Sequence, residues 1–169
     1  MAKINGVEIK TYKTSVDHEG FKIASAVVYI DGKKAGHWSQ DSWGGPDNYD
    51  EGMYEVISER AKEFQKGFPK NYMYYDVMDD ADCFMTSLIR LCDHEKQYKQ
   101  AVKRGYPCMI IKPENRYTTN YLGSRVPITK EMADMTLKKY KNGTIINSLE
   151  DFNITVDENH PCPDWMLAE

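Results

Sequence analysis

Apolar and polar positions alternate from the start of the chain. Residues 7–14, VEIKTYKT, read as a strand, and residues 20–30, GFKIASAVVYI, as a longer one. In the longer run Phe21, Ile23, Val27 and Tyr29 fall on one face, and Ala24, Ala26, Val28 and Ile30 on the other. Two apolar faces indicate a central strand. Asp31–Gly32 then signals a two-residue hairpin, because a type I′ turn needs positive φ at both central positions. Residues 33–40, KKAGHWSQ, return as the next strand, which completes a three-stranded antiparallel meander.

The period then changes to that of a helix. Met53, Val56, Ile57, Ala61 and Phe64 form an apolar stripe, with Asp50 as the expected N-cap, Gly67 at the C′ position and Pro69 just beyond. The opposite face carries Glu51, Glu55, Glu59 and Glu63, only partly offset by Lys62 and Lys66. Residues 71–78, NYMYYDVM, suit a short strand and an ordered loop equally. The longest helix is expected over 80–104, burying Ala81, Phe84, Met85, Leu88, Leu91, Cys92, Tyr98 and Val102, with Gly105 closing it. Its acids, Asp79, Asp80 and Asp82, stand at the start, and Lys99, Lys103 and Arg104 at the end. That order complements the helix dipole.

A buried strand at 106–112 follows, paired with 115–123 through a turn at Pro113–Asn115. Thr129 caps a third helix whose inward face is Met132, Ala133, Leu137 and Tyr140, ended by Gly143. A short strand or turn precedes Asp157. The expected class is α+β: a three-stranded antiparallel N-terminal meander, two helices, a short β pair and a third helix, with the helices packed on one mainly antiparallel sheet. Residues 1–156 form a single domain, and 157–169 a tail docked through Trp165 and Met166.

Composition narrows the function classes. The chain has 169 residues, 41% hydrophobic and 28% charged, which suits one globular domain. No apolar run approaches the roughly 20 residues that span a bilayer, and MAKINGVEIK lacks the apolar core of a secretory signal. A cytoplasmic, non-membrane protein is expected. A net charge of -4 disfavours a generally basic nucleic-acid binder. One local basic-aromatic patch stays open: Lys103, Arg104, Lys112, Arg116 and Tyr117.

The chemical motifs are sparse. Cys83, Cys92, Cys108 and Cys162 make no CxxC pair. Cys92 and His94 are two apart on a helix, about 200° around it, and cannot share an ion. His160 and Cys162 could meet Cys108, but a structural zinc site needs a fourth ligand. Asp76, Asp79, Asp80 and Asp82 form an acidic cluster that suits either Mg²⁺ or helix capping, and capping accounts for its position. There is no GxSxG elbow, Walker loop or GxGxxG run. The β-β-β-α order is shared with double-stranded-RNA-binding modules. Their helix start is basic, whereas this one begins Asp50–Glu51.

The remaining signal is WSQDSWGGPDNYDEG, residues 38–52, in a chain with twelve Tyr and three Trp. Gly44–Gly45 stands before a helix N-terminus, where anions bind, yet Asp41, Asp47, Asp50 and Glu51 flank it and repel them. The same carboxylates could bind a cationic group instead. Aromatic side chains among polar ones are what protein interfaces use as anchors, and two or three of them covering the end of the sheet is the equal alternative.

The stretch YIDGKKAGHWSQDSWGGPDNYD resembles small accessory proteins of bacteriophages and mobile elements, over about residues 20–65. The resemblance implies a chain that binds and modulates host machinery, anti-defence inhibitors such as anti-CRISPR proteins among them, in the host cytoplasm. It carries no catalytic residues and no cofactor. The leading expectation is a non-enzymatic inhibitor that masks a basic, nucleic-acid-handling site on a host protein. Its partner-binding residues would be Trp38, Trp43, Asp47, Asn48, Tyr49, Glu55, Glu59 and Glu63. Two alternatives stand beside it. One is a small-molecule or nucleotide binder, or a metal-dependent enzyme, using the Asp76–Asp82 cluster. The other is a self-associating structural protein.

Overall fold

The computed structural model describes residues 1–20, 22–41, 43, 45–115, 118–141 and 143–167. Phe21, Gly44, Arg116 and Tyr117, each named above, lie outside the described residues. The meander is present as β2 (Val7–Val16), β3 (Lys22–Ile30) and β4 (Lys33–Ser39), paired antiparallel. Asp31 and Gly32 join β3 to β4 with φ of 49° and 80°, the positive values that the Asp–Gly pair predicts.

Three two-residue strands widen this meander. β1 (Lys3–Ile4) pairs with β2, and β5 (Asn48–Tyr49) pairs with β4. β9 (Asn153–Ile154) runs parallel to β1, so the sheet order is β5-β4-β3-β2-β1-β9. Asn5 fastens this closure. Its amide donates to Val156 O and accepts from Val156 N, both at 2.8 Å, across almost the whole sequence.

Helices α1 (Met53–Lys66) and α2 (Ala81–Lys103) cover one face of the sheet. Ile57, Ala61 and Phe64 of α1 and Phe84, Met85 and Leu88 of α2 are fully buried. Phe64 meets Phe84 edge to face at 5.3 Å. Each of the larger of these side chains, Ala61 excepted, contributes about 1.5–3 kcal/mol by leaving water. Val56, expected in the stripe, is exposed at the edge of α1's buried arc. Val102 is exposed in the last turn of α2, and Cys92 is only half-buried. His94 and Glu95 take the buried positions on that helix instead.

The expected single sheet is two sheets. β6 (Cys108–Asn115), β7 (Thr118–Ser124) and β8 (Thr144–Ile146) form a separate one, ordered β7-β6-β8. The cause lies in β6. Met109 and Ile111 enter the main core, while Cys108 and Ile110 pack with Ile128, Leu122 and Tyr140 in a second cluster. A strand apolar on both faces can serve two layers. Pro113 and Asn115 remain strand, paired with Thr119 and Thr118, so the turn is not at 113–115. Helix α3 (Lys130–Lys139) starts after Thr129 as expected but buries no side chain. Met132 and Leu137 are exposed rather than inward, and Ala133 and Tyr140 are only half-buried.

The stretch 71–78 is a loop with one 3-10 turn at Tyr75–Val77. Gly67 ends α1 without a left-handed φ, at -79°. Its role is close approach. A Cβ there would run into Val156 Cγ1 and stand 3.0 Å from His160 O and 3.1 Å from Asp157 N. The tail therefore lies directly on this glycine, and Trp165 and Met166 are buried in the main core. Among the described residues no helix is long and apolar enough to cross a membrane.

Candidate functional site

Residues 38–52 leave the sheet at β4, loop past the start of α2, and return through β5 into α1. Trp38 pairs with Tyr49, and Ser39 with Asn48, so the loop is closed at its base by two sheet rungs. Its far side is held by one carboxylate. Asp82 Oδ2 accepts from Asp47 N at 3.1 Å, and Asp82 Oδ1 accepts from Tyr49 Oη at 2.7 Å. Within the loop, Asp41 Oδ2 accepts from Trp43 N and Gly45 N. These contacts pin the described residues of the segment to the sheet and to α2.

The two tryptophans of this stretch differ. Trp38 is 1% exposed and donates through Nε1 to Asp47 Oδ2 at 3.0 Å. It supports the loop from beneath and is not a surface anchor. Trp43 is 78% exposed, with its ring 4.0 Å from that of His18. Asn48 is exposed and Tyr49 half-buried. Glu55, Glu59 and Glu63 stand exposed along the outer face of α1 as expected. Glu63 pairs with Lys66 at 2.7 Å.

Asp50 does not cap α1. The N-cap residue is Gly52, and the Asp50 carboxylate instead accepts from His37 N at 2.9 Å and meets His37 Nδ1 at 3.2 Å. Those contacts, the backbone one first, hold the Asp50 carboxyl below its ordinary range.

The acidic cluster divides by task. Asp80 is the N-cap of α2, accepting from Asp82 N and Cys83 N. Asp82 holds the loop, and Asp76 lies in the preceding 3-10 turn. Asp47 therefore sits beside Asp82 and Asp80. Its carboxyl is pushed up to about 6, first by burial and then by Asp82, with the Trp38 hydrogen bond opposing. Tyr49 is driven well above the ordinary phenol range, by burial first and then by its bond to Asp82. Among the described residues no lysine, arginine or histidine forms an ion pair with Asp47, Asp80 or Asp82. Nor is any group of three His, Cys, Asp or Glu placed to hold a metal ion among them.

This arrangement sets a pH dependence. A carboxyl whose pKa is higher folded than unfolded adds stability below its unfolded value, near 3.8, and loses it as pH rises through about 6. Asp47→Asn keeps an acceptor for Trp38 and removes the charge. After discounting for partial exposure, it should raise stability at pH 7.5 by about 1 kcal/mol, with no gain at pH 4. Urea unfolding at the two pH values measures this, and an equal effect at both would refute the assignment.

Of the expected basic patch, Lys103 and Arg104 are exposed at the end of α2 and Lys112 is half-buried on β6, while Arg116 is outside the described residues. A second feature was not foreseen. A groove of about 450 Å³ opens on the face of the six-stranded sheet away from the helices. Asn48 and Asp50 line it on the loop side, while the Trp38 and Tyr49 side chains turn toward the helix face. Its floor includes Thr11, which has φ of 50° where β2 slips register against β3. A β-branched residue in the left-handed region costs on the order of 1–3 kcal/mol and persists only where its surroundings enforce it. No sequence signal marks that bulge. Comparison with family models, curated proteins and solved structures finds no match for this chain.

Proposed function

We propose that this chain is a non-enzymatic binding protein whose acidic end occupies a cationic site on a partner protein. The observation that carries the reading is the crowding of Asp47, Asp80 and Asp82 with no basic partner among the described residues, which helps lift the Asp47 carboxyl to about 6. Glu51, just before α1, and Glu55, Glu59 and Glu63 along it carry further negative charge. Like charges held on a fixed frame raise the energy of the free protein, and a lysine- or arginine-rich surface relieves it. A protein that handles nucleic acid presents such a surface, a host defence nuclease among the candidates. Trp43 and Asn48 supply exposed contacts on the loop that precedes α1.

Affinity capture from a nuclease-treated bacterial lysate tests the reading. One dominant basic protein is expected, released by salt as exposed ion pairs are screened. The triple variant Glu55→Lys, Glu59→Lys, Glu63→Lys should weaken its binding by about 2–4 kcal/mol and flatten the salt dependence. Because a cation favours the ionised form of Asp47, affinity should also fall as pH drops through about 6. Unchanged affinity and salt slope in the triple variant would sink the proposal.

A further inference from the structure

We infer that the groove on the open face of the six-stranded sheet binds a small phosphorylated ligand of about nucleotide size. Cross-strand pairing builds it. Lys13 of β2 faces Ser25 of β3, Ser25 faces Ser39 of β4, and Ser39 faces Asn48 of β5. These four side chains and that of Thr11 line the groove, and none makes a hydrogen bond or ion pair with another described residue. Lys13 brings an ammonium, Thr11, Ser25 and Ser39 bring hydroxyls that both donate and accept, and Asn48 brings an amide that does the same.

Among the described residues that line the groove the one carboxylate, Asp50, is already engaged by His37 N–H and Nδ1, which leaves Nε2 as the other nitrogen of that ring. Lys13 places a fixed positive charge in this lining, hydroxyls and an amide can turn their donors toward an oxyanion, and a lysine beside hydroxyls is a recurring way to hold a phosphate. The volume of about 450 Å³ falls within the range of small-molecule sites, about 300–1,000 Å³, and exceeds what a bare phosphate fills. The strained bulge at Thr11 belongs to the same floor. Bulges re-aim side chains beside binding sites, and strain of this kind gathers where a site is held ready.

Thermal shift and calorimetric titration with AMP, inorganic phosphate and adenosine, each at about 1 mM, test the site. AMP should raise the melting temperature, phosphate should raise it less, and adenosine should leave it unchanged. Lys13→Gln should weaken AMP by at least about tenfold, and Ser39→Asp, which sets a second carboxylate among the donors, should abolish it. The triple lysine variant of α1 should bind AMP as the parent does, so this site and the acidic docking surface succeed or fail separately. No shift with AMP, an equal shift with adenosine, or undiminished binding in folded Lys13→Gln would each overturn the inference.

Discussion

Trp38→Ala is expected to cost about 3–5 kcal/mol, which is a large share of the stability of a domain this size. The indole is 1% exposed, lies between the sheet and the helices, and stands opposite Ala26 and Tyr49 in the ladder. Truncation leaves a cavity that flanking strands cannot close, because two neighbours are fixed in register. It also strips Asp47 of the Nε1–H donor that partly offsets its desolvation. The charged loop then loses support on one side while Asp82 still holds it on the other. Trp43→Ala supplies the contrast. That ring is 78% exposed, and its loss should stay within about 0.5 kcal/mol. Denaturant unfolding of both variants gives the comparison, read as a shift in midpoint at constant slope. A Trp38→Ala cost near 1 kcal/mol would mean that the loop is not built on this side chain.

The pair shows what was legible in residues 38–52 and what was not. Sequence marks the stretch as unusual through two tryptophans, a tyrosine and flanking acids. It does not distinguish the tryptophan that carries the loop from the one that faces solvent. That depends on β5, a strand of two residues, too short to display any period. Asp82 shows the same limit. Its place in the first turn of α2 suits dipole complementation, but it also anchors a loop 35 residues earlier in the chain. Asp50 has the type and position of an N-cap, and loses that role to the backbone of His37 on the neighbouring strand.

The fold divides along similar lines. The β2–β3–β4 meander and the two long helices follow from periodicity, capping and one Asp–Gly turn. The closure by β1 and β9 had a local signal, Asn5–Gly6 between Ile4 and Val7, which is a hairpin dipeptide in its own right with φ of 47° and 81°. The partner strand 150 residues away had none. The second sheet follows from the two apolar faces of β6, a feature that reads equally as the centre of a single larger sheet. Spacing in α3 gives the helix correctly but not its depth, because Met132 and Leu137 keep helical period while remaining exposed.

His94 carries the second large effect. Its ring is 2% exposed on α2, with Nδ1 2.8 Å from Tyr121 Oη of β7 and the plane edge-on to Trp165 of the tail at 5.0 Å. Nε2 is buried without a hydrogen-bond partner among the described residues. Burial lowers the imidazole to about 4, and the nearby Arg90 guanidinium adds to it. A group with a depressed folded pKa contributes stability above its unfolded value, 6.5, and loses it as pH falls through about 4. Linkage then predicts that His94 removes about 3 kcal/mol between pH 7 and pH 4. Asp47 works against it over about pH 6 to 4, by roughly 1 kcal/mol, since its raised carboxyl gains stability as acid is added. The clean comparison is therefore Asp47→Asn against Asp47→Asn with His94→Gln, where glutamine keeps a polar group for Tyr121 and does not titrate. Urea unfolding at pH 7, 5.5 and 4 should show the steep acid loss only where His94 is present. Because His94 joins α2 to both β7 and the tail, the fluorescence of Trp165 should change with that loss rather than after it. Parallel acid profiles in the two backgrounds would remove His94 as the cause and leave the exposed carboxylates to explain it.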